Sequence, residues 1–157
     1  MRFKDYMIPY KIFVDMDGVL CDFSGRYKDL FNEEFESVKK PWPKINSKGM
    51  SFWSEMAWTS DGKQLWKALK THKPTILSSP GLDIGGISEG KKEWLTKHLP
   101  GIKYILERQK HLYAGKNKIL IDDTADKIDK WTAAGGIGIL HKNTKTTLQK
   151  LNKYLKG

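Results

Sequence analysis

The stretch KIFVDMDG, residues 11–18, decides the fold of this chain. Its first half, residues 11–14, is short, largely apolar and β-branched, which is typical of a buried strand in a parallel sheet. The strand runs directly into Asp15 and Asp17, followed by Gly18. In open parallel sheets ligands bind beyond the carboxyl ends of the strands, so these two carboxylates are candidates for a functional site.

Four further segments have the length and content of buried strands. They are PTIL (74–77), IKYIL (102–106), KILI (118–121) and IGIL (137–140). Apolar residues at helical spacing lie between them. Strands that alternate with helices predict an α/β fold, a three-layer Rossmann-like parallel sheet covered on both faces.

One segment, residues 37–61, interrupts this alternation. It carries two prolines, a glycine and three tryptophans without clear periodicity. We interpret it as part of a small cap, inserted after the first strand and spanning about residues 20–70. The length of 157 residues fits one domain, residues 1–157, rather than two.

Composition narrows the class of protein. The single cysteine, Cys21, cannot form an internal disulfide, and no apolar run approaches the roughly 18 residues of a membrane span. Charged residues and a proline interrupt the first 18 residues, which therefore lack the apolar core of a signal peptide, and we expect a cytoplasmic protein. The net charge of +10 indicates either a solvated basic surface or an anionic ligand such as a nucleotide or a nucleic acid.

Polar residues end several of the predicted strands, and a lysine follows another. They are Asp15 and Asp17, Ser78 and Ser79, Asp122 and Asp123, and Lys110. Such a set suits phosphoryl transfer, in which catalysis is mainly positioning and neutralisation of charge. One carboxylate can attack phosphorus, a second can transfer protons, and a cluster of carboxylates calls for a cation such as Mg²⁺.

The motifs resemble those of a known superfamily. IFVDMDGVLCDF (12–23) resembles the first motif of haloacid-dehalogenase-type phosphatases, and DMDGVLCDF within it resembles the 5'(3')-deoxyribonucleotidase branch. TILSSPG (75–81) is similar to the second motif of that branch, and KILIDDTAD (118–126) to its fourth motif. The resemblance extends from about residue 11 to residue 140.

The resemblance implies roles for the acidic residues. Asp15 is then the nucleophile and a metal ligand, and Asp17 is the general acid and base, offering its backbone carbonyl to the metal. Asp123 is the direct metal ligand of the last pair, and Asp122 acts directly or through water. The implied cofactor is Mg²⁺.

The resemblance also implies residues that bind the phosphate group. Ser78 binds through its hydroxyl and Ser79 through its amide. Lys110 is the candidate phosphate-binding lysine, although Lys116 and Lys118 are alternatives in the same region. In a chain so rich in lysine, a solvent-exposed Lys110 is a competing interpretation.

Aromatic residues in or beside the predicted cap have two interpretations. They form a small hydrophobic core, or some of them stack on a nucleobase, as the aromatic base pocket of the branch implies. The candidates for the base pocket are Phe23, Trp42, Phe52, Trp53 and Trp58.

The predicted activity is hydrolysis of phosphate monoesters through an aspartyl-phosphate intermediate with Mg²⁺. The predicted substrate is a nucleoside monophosphate, as for a 5'(3')-deoxyribonucleotidase. One alternative is a phosphatase acting on the 3' or 5' ends of nucleic acids, which the positive charge suits. Another is a catalytically silent member that binds a nucleic acid or a protein partner.

Overall fold

The computed structural model describes residues 9–81 and 85–155. Within these residues, five parallel strands form one sheet in the order β3-β2-β1-β4-β5. The strands are β1 (Lys11–Val14), β2 (Thr75–Ser78), β3 (Tyr104–Leu106), β4 (Lys118–Asp122) and β5 (Ile137–Leu140). This architecture confirms the predicted α/β fold, with the opening segment as its central strand. The outermost parts of the predicted domain, residues 1–8 and 156–157, lie outside the described residues.

Helices occupy the connections between the strands. The described residues contain seven α-helices, the last of which follows β5: α1 (Phe23–Phe31), α2 (Trp42–Ser47), α3 (Met50–Ser54), α4 (Gly62–Leu69), α5 (Ile87–His98), α6 (Ala125–Ala133) and α7 (Thr144–Leu155). Short 3-10 helices span Ser37–Lys39, Lys70–His72 and Lys110–Tyr113. Within the described residues, no helix is long and apolar enough to cross a membrane.

The two faces of the sheet carry separate hydrophobic clusters. Ile12 and Val14 of β1 belong to the larger cluster, whereas Phe13 between them belongs to the smaller one, with Trp131 of α6. Successive side chains of a strand point to opposite faces, so this division shows that both faces are covered. The sheet is therefore the middle layer of three. The loops that follow its strands are not covered by these layers and form the site.

The connection from β1 to β2 contains the segment predicted as a cap. Its last helix, α4, packs against α7, and the Asp61 carboxylate at the start of α4 accepts a hydrogen bond from the Thr144 amide at 2.7 Å. Helix α3 packs against α5. We propose that the cap is the segment of about residues 20–70, and that it is anchored on the sheet domain where α3 packs against α5 and α4 packs against α7.

Candidate functional site

A buried lysine links two carboxylates at the carboxyl end of the sheet. Asp15 follows β1, and its amide donates to the Ile121 carbonyl of β4 at 3.0 Å, which continues the pairing of the two strands. Lys110 Nζ lies 2.9 Å from Asp15 Oδ1 and 2.7 Å from Asp122 Oδ2. Only 3 % of Lys110 is exposed. Burial alone would lower the pKa of Lys110, but the two carboxylates raise it to about 12, so the ammonium stays charged.

Asp122 and Asp123 use their oxygens differently. Asp122 is fully buried, and both of its oxygens are engaged, because Oδ1 accepts from the Thr124 amide at 3.0 Å and Oδ2 accepts from Lys110. Asp123 is exposed, and among side chains of the described residues it accepts a hydrogen bond from the Thr124 hydroxyl alone, at 3.4 Å. Burial and the charge of Asp15 raise the pKa of Asp122. Of the pair, Asp123 thus has the oxygens that are available to a ligand.

The glycine of the first motif makes room for Asp123. Gly18 has a φ of +79°, and a Cβ on it would lie 1.9 Å from Asp123 Oδ2. A side chain at this position would both strain the backbone and displace the carboxylate. Glycine is therefore what allows the loop after β1 to approach the loop after β4.

Three carboxylates lie close enough to share a cation. Asp15, Asp122 and Asp123 each offer an oxygen, and these oxygens all lie within 4.8 Å of one another. Desolvation, followed by the charges of Asp15 and Asp122, raises the pKa of Asp123 to about 7. Such mutual repulsion, together with hard oxygen donors and a carboxylate open to solvent, fits a divalent cation such as Mg²⁺.

Asp17 faces a second buried lysine, which the sequence motifs did not reveal. Lys91 Nζ of α5 lies 3.0 Å from Asp17 Oδ2, donates to Ser78 Oγ at 3.0 Å and donates to the Ser79 carbonyl at 2.7 Å. Asp17 Oδ1 is buried and has no hydrogen-bond partner among the described residues. Burial raises the pKa of Asp17 and the Lys91 ammonium opposes that rise, with a net increase. A carboxyl with a raised pKa and one unengaged oxygen suits proton transfer.

The pattern of α5 contains the signal that would have identified Lys91. Ile87, Trp94 and Leu95 mark the buried face of the helix, and Lys91 occupies that same face at i+4 from Ile87. The neighbouring Gly90 allows close packing, since a Cβ there would lie 2.5 Å from the Met50 carbonyl of α3. A lysine at an apolar position of a helix is expected to have a buried partner.

A pocket of about 250 Å³ opens over these groups. Among its lining residues are the predicted Asp15, Asp17, Ser79, Lys110, Asp122 and Asp123. Phe23, Lys91 and Lys127 line it as well.

Three other candidates for phosphate binding lie away from this pocket's surface. Ser78 is fully buried, where its hydroxyl accepts from Lys91. Lys116 is exposed, and Lys118 begins β4 at the opposite end of the strand. The structure therefore brings Lys110, and neither of the two alternative lysines, to the carboxylates.

Of the aromatic residues proposed as a base pocket, Trp42, Phe52 and Trp53 pack around Phe23, whereas Trp58 packs elsewhere. Phe52 and Trp53 are 0 % and 3 % exposed and belong to the hydrophobic core, and the ring of Trp58 packs on Trp94 at 5.0 Å. Phe23 lines the pocket, and Trp42 packs beside it at 6.3 Å with 44 % of its surface exposed. Burial separates Phe52 and Trp53 from any ligand in the pocket, whereas Phe23 lines it and Trp42 lies beside Phe23 with an exposed surface; a base pocket in this region stays a prediction.

Solved structures share this fold at low sequence identity. The chain is similar to the magnesium-bound putative HAD-hydrolase YfnB from Bacillus subtilis, with a TM-score of 0.59 and 12 % identity over 96 % of this chain and 100 % of that one. It is also similar to L-2-haloacid dehalogenase from Xanthobacter autotrophicus, with a TM-score of 0.55 and 8 % identity over 94 % and 84 % of the two chains. These likenesses show the fold.

A family model matches the first part of the chain. Residues 7–79 match the family model of the cytosolic type C 5' nucleotidase, deoxy (pyrimidine), proteins. No curated protein matches the chain significantly. The chain thus has the fold of these hydrolases, and over residues 7–79, slightly less than half of its length, it resembles the deoxynucleotidase family. The matched residues include the first motif and residues 75–79 of the second motif.

Proposed function

We propose that this chain is a Mg²⁺-dependent nucleotidase that forms a phosphoenzyme on Asp15. The observation that carries the proposal is the position of Asp15, which faces the pocket between the Lys110 ammonium and the carboxylates of Asp122 and Asp123. A nucleophilic carboxylate needs such compensation, because both it and the phosphate are negatively charged.

The first half-reaction follows from the contacts of Asp15. Lys110 holds Asp15 Oδ1, which leaves Oδ2 to form the bond to phosphorus as the bond from phosphorus to the ester oxygen breaks. The product is an aspartyl phosphate and an alcohol. Asp17 gives its proton to the departing oxygen, which the raised pKa of this carboxyl favours.

The second half-reaction reverses the role of Asp17. The carboxylate takes a proton from a water molecule, the water oxygen bonds to phosphorus, and the bond to Asp15 breaks. Lys91 positions Asp17 in both steps through its contact with Oδ2. The enzyme returns to its starting state with inorganic phosphate released.

The metal site is proposed from the same cluster. Asp15 and Asp123 would hold Mg²⁺ by their carboxylates, the Asp17 carbonyl would add a backbone ligand, and Asp122 would act directly or through water. When bound, the ion neutralises charge that the transferred phosphoryl group brings to the site. Ser79 and Lys110, both at the pocket, would bind the phosphate oxygens, and Ser78 would contribute only through the hydroxyl that contacts Lys91.

The proposed substrate is a nucleoside monophosphate, in line with the deoxynucleotidase family model. Phe23 lines the pocket and Trp42 extends its aromatic surface into solvent, which is the arrangement a stacked base requires. The description of the matching family as cytosolic supports action in the cytoplasm.

A second candidate substrate is the phosphorylated end of a nucleic acid. It is favoured by a specific feature, the cationic residues Arg108, Lys127 and Lys130 beside the catalytic pocket. A nucleoside monophosphate has a single phosphate, which leaves these cationic residues without an anionic partner on the substrate.

The test is a phosphatase assay over nucleoside 5'- and 3'-monophosphates after the protein has been stripped of metal. We expect no turnover in EDTA, recovery with Mg²⁺, and poor recovery with Ca²⁺, which prefers looser geometry. Full turnover without a metal ion would contradict the proposal, as would turnover of none of these esters in Mg²⁺.

A further inference from the structure

A basic groove continues from the catalytic pocket. Its volume is about 300 Å³, and it is lined by Arg108, Gln109, Lys110, His111, Lys127 and Lys130, with no carboxylate among them. Lys110 and Lys127 line the catalytic pocket too. A ligand whose phosphate lies at Asp15 would therefore extend directly into the groove.

Two cations of the groove are held by neutral groups. Arg108 Nη2 donates to the Gly81 carbonyl at 3.0 Å, and Lys127 Nζ donates to the Arg108 carbonyl at 3.0 Å. Among the described residues, neither side chain has a carboxylate within 4.0 Å, whereas Lys110 is neutralised by Asp15 and Asp122. Arg108 and Lys127 are thus positioned by carbonyls while their charge is left for an anion.

Lys130 adds a further cation to the lining of the groove. It pairs with Asp126 one helical turn earlier, at 3.1 Å, and both side chains are more than half exposed. Exposed pairs of this kind contribute little to stability, so an anion that binds more favourably can draw Lys130 away.

Another basic pocket provides a natural comparison. Lys11, Lys70, Lys73 and Lys103 line a pocket of about 440 Å³ beside the amino ends of the first three strands. It lies at the opposite edge of the sheet from Asp15, so it cannot contact the same small substrate. Of these two basic pockets, the groove is the one adjacent to the catalytic pocket.

We propose that this groove is a second phosphate subsite, and that the preferred substrates carry another phosphate next to the one that is hydrolysed. The inference rests on the proposed function, since it takes the Asp15 pocket as the site of the hydrolysed phosphate. Two sources supply this chemistry: a nucleoside 3',5'-bisphosphate, or a nucleic-acid end whose first phosphodiester follows the terminal phosphate.

The test compares kcat/KM for deoxythymidine 5'-monophosphate, deoxythymidine 3',5'-bisphosphate and a 5'-phosphorylated oligothymidylate. We expect about tenfold preference for the substrates with a second phosphate, and this preference should decline with salt because it arises from phosphate contacts. Equal preference for the bisphosphate and the oligonucleotide assigns the subsite to one phosphate. A larger preference for the oligonucleotide assigns it to nucleic-acid ends.

Variants show whether the groove causes the preference. Arg108→Gln with Lys130→Gln should abolish it and leave kcat/KM for the monophosphate unchanged, because neither residue lines the catalytic pocket. Lys70→Gln with Lys103→Gln removes the same charge at the opposite edge and should leave the preference intact. Equal kcat/KM for all three substrates, or a preference that survives in the groove variant, would overturn the proposal.

A binding measurement separates this proposal from the catalytic one. Calorimetry on Asp15→Asn compares the bisphosphate with the monophosphate without requiring turnover. Tighter binding of the bisphosphate that is lost with Arg108→Gln and Lys130→Gln supports the subsite even if no ester is hydrolysed. Equal affinities for the two ligands contradict it, whatever the activity of the wild type.

Discussion

The carboxyl edge of the sheet and the aromatic segment of α1 to α3 make an instructive comparison. At the sheet edge, residues far apart in sequence, such as Asp15 and Asp122, share one lysine. In the aromatic segment, residues close in sequence are separated by packing, so that Phe52 is buried and Trp42 is exposed. The order of strands and helices along the chain determines where the strand ends meet. Whether an aromatic residue in a short helix is buried or exposed depends instead on which face of that helix is covered by its neighbours.

The largest effect should come from the sheet edge. Asp15→Asn preserves the shape of the side chain but removes the attacking charge, and we expect kcat to fall by about 10³-fold or more. Circular dichroism should show an intact fold. Wild-type turnover in this variant would contradict the proposed role of Asp15 as the nucleophile.

A substitution of Phe52 tests the aromatic segment of α1 to α3 through its effect on the free energy of unfolding. Because the ring is fully buried among Phe23, Phe31 and Trp53, Phe52→Ala should lower the free energy of unfolding by about 3–5 kcal/mol, measured by urea denaturation. Trp42→Ala is the matched variant and should lower it by less than about 1 kcal/mol, since half-exposed side chains lose little. Similar losses in the two variants would erase the distinction drawn between these aromatic residues.

Lys91 connects the two regions, because α5 packs on α3 and reaches Asp17. Lys91→Met should lower kcat by about 100-fold, since Asp17 loses the contact that orients it for proton transfer. Lys92→Met is the control: its neighbouring ammonium is exposed and pairs only with Glu89, at 3.6 Å, so kcat should not change. If both variants keep wild-type kcat, Lys91 has only a structural role.

The smallest effect is expected at Trp42. If the base stacks on the surface formed by Trp42 and Phe23, Trp42→Ala should raise KM for a nucleoside monophosphate about fivefold to tenfold. KM for p-nitrophenyl phosphate, which has no base, should rise much less. An equal rise for both substrates would indicate a disturbed pocket instead of a lost stack.

These contrasts explain how much could be predicted from sequence. Strand segments were recognisable by their apolar runs, and the order of strands and helices implied that Asp15, Ser79 and Asp122 would meet at one edge. Lys91 was missed because a single polar residue on a helix carries no motif, and only its place on the face of Trp94 and Leu95 marks it. The role of a residue at such a position can be assigned only when its contact partner in the neighbouring element is known.

The base pocket could not be predicted for a related reason. The sequence placed several aromatic residues in one segment but contained no period that separates buried from exposed positions. Helices α2 and α3 have six and five residues, too few to establish a face from pattern alone. Their packing against α1 and α5 decides which rings remain accessible.

Detection of phosphate on Asp15 tests the central claim most directly. The wild type and Asp17→Asn are mixed with a nucleoside monophosphate and Mg²⁺, quenched in acid within one turnover and digested, and the peptides are analysed by mass spectrometry. We predict a hydroxylamine-sensitive phosphate on the peptide that contains Asp15, longer-lived in Asp17→Asn because hydrolysis of the intermediate needs the Asp17 carboxylate. Turnover of the nucleotide without any phosphate on Asp15 at any time during the reaction would contradict the account.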